Sequence, residues 1–177
     1  NGIKLVASIV TGWMSGMLFA PPALAGKNLI SDPEAIMWMT RFIHRFVREL
    51  KDCDNIIMWD LGNECNCMAE ADHDEAFVWS KYITLAIKCA DNTRPVVSGM
   101  HSLDPQGDWT PEDQGEVTDI LTTHPYPIFT PHCNTDPLNT FKNAFHAIEQ
   151  ANEDPKTHEK ILVGVFGDAS WANKAAL

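Results

Sequence analysis

Several familiar signals are missing from this chain of 177 residues, and each absence removes a class of function. No G-x-G-x-x-G and no P-loop follows any of its apolar runs, so the usual reason to expect a nucleotide on an open sheet is gone. No Lys/Arg cluster with interleaved aromatics occurs, and a formal net charge of -11 would repel a phosphate backbone. Nucleic acid is therefore not expected as a partner, whereas neutral or cationic partners fit. Cysteine is sparse and odd in number, five in all, with Cys65 and Cys67 as the only close pair. That is no disulfide framework, and buried small hydrophobes or free thiols are the expectation. A zinc site of Cys65, Cys67 and His73 lacks the paired spacing such sites use, so neither metal nor cofactor is expected. No short repeat, low-complexity tract or linker interrupts the chain, which reads as one domain over 1–177.

What is present is a soluble globular composition, 45% hydrophobic and 21% charged, sufficient for one sizeable core. The N-terminal stretch "LVASIVTGWMSGMLFAPPALAG" has the outline of a secretory signal ending in Ala23-Leu24-Ala25. Thr11, Gly12, Ser15 and Gly16 interrupt its apolar run, however, and Pro21-Pro22 would break a spanning helix. The favoured expectation is a buried strand from Ile3 to about Thr11 and then a loop carrying Trp13, Met14 and Phe19; no membrane partner is expected.

Two periods alternate further on. "IKLVASIV", "NIIMW", "RPVVSG", "DILTTHPY" and "KILVGVFG" are short, β-branched and bounded by turn or charged residues, the pattern of parallel strands buried on both faces. Between the first two, Asp32 is a suitable N-cap with Pro33 at the first helical position. Ile36, Met39, Phe42, Ile43, Phe46, Val47 and Leu50 follow on one face. A second helix is expected from Asp74 to about Ala90 with Val78, Tyr82, Leu85, Ala86 and Cys89 inward. A third runs from Pro137 to about Asn152, with at most a short helix near Glu112 to Val117.

Such a β-α-β order gives an α/β fold, either an open doubly wound sheet or part of a (β/α)8 TIM barrel. The polar residues favour the barrel. Thr11 and Trp13, Asn63 and Glu64, His101, and His124 and Tyr126 each follow a different strand, where barrel enzymes carry their chemistry. Five parallel strands with flanking helices are legible, so the expected fold is a partial TIM barrel.

"IIMWDLGNE", "TTHPYP" and "ILVGVFG" resemble strands four, six and seven of the clan A glycoside hydrolases, most closely the family 5 and family 2 type that includes mannanases and cellulases. "TGWMSGMLFAPP" resembles the end of strand three, and the resemblance covers nearly the whole chain. It implies retaining hydrolysis of β-linked poly- or oligosaccharides such as β-mannan or β-glucan. Glu64 would be the general acid/base, its donor form favoured by apolar neighbours such as Trp59. Asn63 would bond a sugar hydroxyl, His124 and Tyr126 would orient the constellation, and His101, Trp13 and Trp109 are further candidates for sugar contact. A carbohydrate substrate would suggest a secreted or periplasmic location.

Two departures from that pattern stand out. Relatives of this type read Gly-Glu-Phe-Gly or Glu-Glu-Ile-Gly at strand seven, whereas Gly164-Val165-Phe166-Gly167 places Val165 at the nucleophile position. Valine cannot attack an anomeric carbon, so activity is expected to be lost or much reduced unless Asp168 serves instead. The alternatives are a non-catalytic carbohydrate-binding relative or a fragment of a longer hydrolase. A whole barrel takes about 250 residues, and open sheet edges would favour completion by a partner or self-association.

Overall fold

The computed structural model describes residues 2–14, 16–124 and 160–163. Strand β1 (Leu5–Val10) leads into a small antiparallel hairpin, β2 (Trp13–Met14) and β3 (Met17–Leu18). Helix α1 (Pro33–Leu50) starts where the sequence predicts, because Asp32 accepts from the backbone N–H groups of Glu34 and Ala35, with proline at the first position. Strand β4 (Ile56–Gly62) follows, then α2 (His73–Ala90), whose start is closed by a reciprocal capping box between Asp72 and Glu75. Strand β5 (Val96–Val97), helix α3 (Pro111–Val117), strand β6 (Ile120–Thr123) and strand β7 (Lys160–Val163) complete the described elements. The expected helix from 137 to 152 lies outside the described residues.

Five strands form one parallel sheet in the order β1-β4-β5-β6-β7, with Ser8 opposite Asp60 and Asp60 opposite Val97. That order never reverses. A doubly wound sheet needs a reversal to create its binding crevice, so this sheet is a barrel segment in which each crossover reaches the adjacent strand. Helix α1 packs on α2 and α2 on α3, forming the outer layer. The period of two along β4 sends Trp59 and Leu61, both fully buried, into one core with Ile43, Val47, Trp79, Ile83 and Ile87. Asp60 and Gly62 alternate with them on the other face.

Three expectations need correction. The inward face of α2 is Ala76, Trp79, Ser80, Ile83, Thr84 and Ile87, whereas Val78, Tyr82, Leu85 and Cys89 are exposed. Both stripes have helical spacing, and the buried one is disguised by two hydroxyls, one of which accepts from Gln114 Nε2 at 3.0 Å. On α1, Phe42 is 55% exposed and rests against Phe46 rather than facing the core. Strand β1 is not buried on both faces, since Leu5 and Val6 are exposed at an outer edge of the described sheet. Among the described residues, no helix is long and apolar enough to cross a membrane.

Candidate active site

The strand ends are joined by backbone before any side chain is considered. Past Gly62, the Asn63 N–H donates to Val10 C=O at 3.0 Å, and the Cys65 N–H donates to Gly99 C=O at 3.1 Å. The His124 N–H donates to His101 C=O at 2.8 Å. Gly62 and Gly99 permit this approach: a Cβ on Gly62 would collide with the Val10 carbonyl, and one on Gly99, at φ +68, with the Gly62 carbonyl. Glu64 sits at the focus, with φ 52 and ψ 46, the one left-handed non-glycine residue among those described. A left-handed glutamate costs on the order of 1–2 kcal/mol and persists only where its surroundings determine it. The Cys67 N–H closes the following turn onto Glu64 C=O at 2.8 Å.

The strained backbone aims the Glu64 carboxylate at two histidines from two other strand ends. Glu64 Oε1 lies 3.0 Å from His124 Nδ1 and 3.4 Å from His101 Nδ1. All three side chains are largely withdrawn from solvent, at 15%, 6% and 13% for Glu64, His124 and His101. The two rings stand edge to face, 6.4 Å apart. An ionised Glu64 accepts from both rings when each carries its proton on Nδ1, whereas a protonated Glu64 donates to one at most. Burial pulls the His124 imidazole below its usual range, with Glu64 opposing that pull. The arrangement therefore suits a carboxyl group that exchanges a proton while held in a fixed orientation.

Asn66 secures the second histidine. Its Oδ1 accepts from the His101 N–H and its Nδ2 donates to Ser102 C=O, each at 2.8 Å, so one amide clamps the turn after β4 to the loop after β5. Nothing in the sequence distinguished Asn66 from an ordinary loop asparagine. Asn63 is held likewise, its Nδ2 donating to Trp13 C=O at 2.7 Å, which brings the half-buried Trp13 and its hairpin alongside the Glu64 turn. Asp60, one face inward on β4, was also unmarked in the sequence. Burial pushes its carboxyl up to about 6, against hydrogen bonds from the Gly62 N–H and Ser8.

Other sequence candidates fall elsewhere. Trp109 is 9% exposed and packs against Trp79 edge-on in the core, so it offers no open ring face to a sugar. Trp59 does not shelter Glu64: it is fully buried, and its Nε1 donates to Asp91 at 2.8 Å. Burial disfavours the Asp91 charge, yet bonds from Thr93, Trp59 and Arg94 outweigh it and hold that carboxyl far below the usual carboxylate range. His73 pairs with Asp74 and Asp113 instead of joining Cys65 and Cys67. Tyr126, Val165 and Asp168 lie outside the described residues.

No family model and no curated protein matches the sequence. Solved structures do match. Against an exo-β-1,4-mannosidase from Opitutaceae bacterium strain TAV5 the TM-score is 0.78 at 25% identity, covering 94% of this chain and 32% of that one. An endo-β-1,4-mannanase from Thermotoga petrophila gives 0.72 at 17% identity, covering 94% of this chain and 43% of that one. A β-D-glucuronidase from Dictyoglomus thermophilum gives 0.59 at 15% identity over 77% of this chain and 22% of that one. The chain thus has a clan A glycoside hydrolase-like fold over most of its length, and it spans between a fifth and under a half of the length of these enzymes.

Proposed function

We propose that this chain carries the acid/base half of a retaining β-glycosidase site for β-mannan or related β-linked glycans, with Glu64 as the general acid/base. The observation that carries the reading is the strained Glu64, held at hydrogen-bonding distance from His124 at the end of a different strand. Strain at a buried carboxyl lowers stability and makes sense where the carboxyl must be aimed. The mannoside- and mannan-cleaving activities named for two enzymes that each match 94% of this chain support the substrate class.

In the reaction, Glu64 delivers its proton to the glycosidic oxygen as the C–O bond breaks, and a second carboxylate attacks the anomeric carbon to form a glycosyl ester. The Glu64 carboxylate then takes a proton from the water that cleaves the ester. In this reading Asn63, Trp13 and His101 line the sugar side and His124 orients Glu64, the role that the resemblance also implies for Tyr126. Val165 occupies the sequence position of the second carboxylate, which favours a second reading: a carbohydrate-binding relative that has lost turnover.

Calorimetry with manno- and cello-oligosaccharides, alongside hydrolysis of aryl β-mannosides and β-glucosides, separates the two. Measurable hydrolysis gained with Val165→Glu, and lost by about 10²–10⁴-fold on adding Glu64→Gln, supports the acid/base site. Binding without turnover, unimproved by Val165→Glu, selects the silent relative. Neither binding nor turnover removes both.

A further inference from the structure

Glu64, His101 and His124 offer one carboxylate and two imidazoles, ligand types that a divalent transition metal takes from a protein. One ligand atom from each lies within 4.8 Å of the other two. A tetrahedral ion with metal–ligand bonds of about 2.0–2.1 Å places its ligands roughly 3.3 Å apart. The Glu64–His124 and Glu64–His101 separations of 3.0 and 3.4 Å bracket that spacing. The three ligands come from the ends of β4, β5 and β6, already joined by backbone hydrogen bonds and the Asn66 clamp. Little reorganisation is needed for them to converge on one ion.

We propose that Glu64, His101 and His124 form a binding site for zinc or a similar divalent transition-metal ion. The site rests on the same residues as the glycosidase reading, and there the ion would act as a regulator by engaging the carboxyl that must exchange a proton. Two imidazoles and a carboxylate favour zinc, cobalt or nickel over magnesium or calcium, which prefer an all-oxygen shell. Three protein ligands leave a fourth position for water or a sugar hydroxyl. The negative charge of the chain would raise the local concentration of any cation near the surface.

Titration of the whole chain with zinc chloride by calorimetry, and with cobalt(II) followed by visible absorption, tests the site directly. The expected result is one ion per chain, with the intense visible bands of tetrahedral cobalt and no sulfur-to-cobalt charge-transfer band. His124→Gln and His101→Asn should each weaken binding by at least about 10–100-fold, the loss typical even for groups that only support a ligand, while His73→Ala leaves it unchanged. Far-UV dichroism verifies that each variant folds; if one does not, the remaining variant carries the test. Absence of stoichiometric binding overturns the proposal, as does a sulfur band, which would move the ion to one of the cysteines, or affinity indifferent to both histidines. Hydrolysis plays no part in this measurement. Metal binding by a chain that neither binds nor cleaves glycans leaves this site standing and the glycosidase reading refuted, and glycan turnover without metal binding does the reverse.

Discussion

The two ends of the described structure's polar and apolar inventory are inverted. At the mouth formed after β4, β5 and β6, polar side chains are buried: Ser98, Thr122 and His124, with Asp60 and Glu64 nearly so. Along β1 and its hairpin, apolar side chains face outward: Leu5, Val6, Met14, Met17, Leu18 and Phe19. Burying polar groups is tolerable at the mouth because they bond to one another. Ser98 Oγ lies 3.1 Å from Thr122 Oγ1, accepts from the Thr122 N–H and so ties β5 to β6, while Thr122 Oγ1 accepts from the Met100 N–H. Among the described residues, the outward apolar side chains of β1 and its hairpin contribute no such bonds. A closed barrel leaves no sheet edge, whereas β1 lies at an outer edge of the described sheet.

Substitutions can break this contrast, starting with the strongest expected effect. Asp60 has its folded-state pKa raised from 3.8 to about 6. The folded protein therefore holds this proton more tightly than the unfolded chain, so the Asp60 contribution favours folding at low pH and is lost as pH rises from about 4 through about 6. Asp60→Asn should exceed the parent in stability by on the order of 3 kcal/mol above that window and match it below, as urea melts across pH would record. Equal melts at all pH values would show that the carboxyl is effectively solvated.

Thr122→Val keeps the shape but strands the Met100 N–H and Ser98, and should cost about 2 kcal/mol in thermal or urea unfolding. A loss under 0.5 kcal/mol would mean that water satisfies the network. At the strained position, Glu64→Gly should be more stable than Glu64→Ala by about 1 kcal/mol, because only alanine retains the Cβ clash of the left-handed region. The smallest effect belongs to the edge. Val6→Thr should change stability by less than about 0.5 kcal/mol and diminish any concentration-dependent association seen by sedimentation. A large loss there would place Val6 in a packed core and remove the contrast.

How far this architecture could be read beforehand depended on whether the signal was local. Helix α1 was legible because its cap, proline and apolar stripe sit within a few residues, and β4 because its apolar run ends in Asn63-Glu64. Glu64, His124 and Tyr126 stood out as polar residues at strand ends and through the resemblance; Glu64 and His124 lie 3.0 Å apart, and Tyr126 is outside the described residues. The face of α2 was misread because periodicity gives a repeat and not its phase when both sides of a helix are apolar. Trp109 was misplaced because an indole signals burial and sugar stacking equally well. Asn66 and Asp60 were invisible, since an amide clamp and a buried carboxyl depend on strands that meet only after folding.

The most direct test of Glu64 as acid/base compares two aryl β-mannosides, one with a strongly acidic and one with a weakly acidic phenol as leaving group, on Val165→Glu with and without Glu64→Gln. A proton donor matters most when the departing oxygen is basic, so Glu64→Gln should slow the weakly acidic phenol's release far more than the other's. Equal losses on both substrates, or no turnover by Val165→Glu on either, would contradict that assignment.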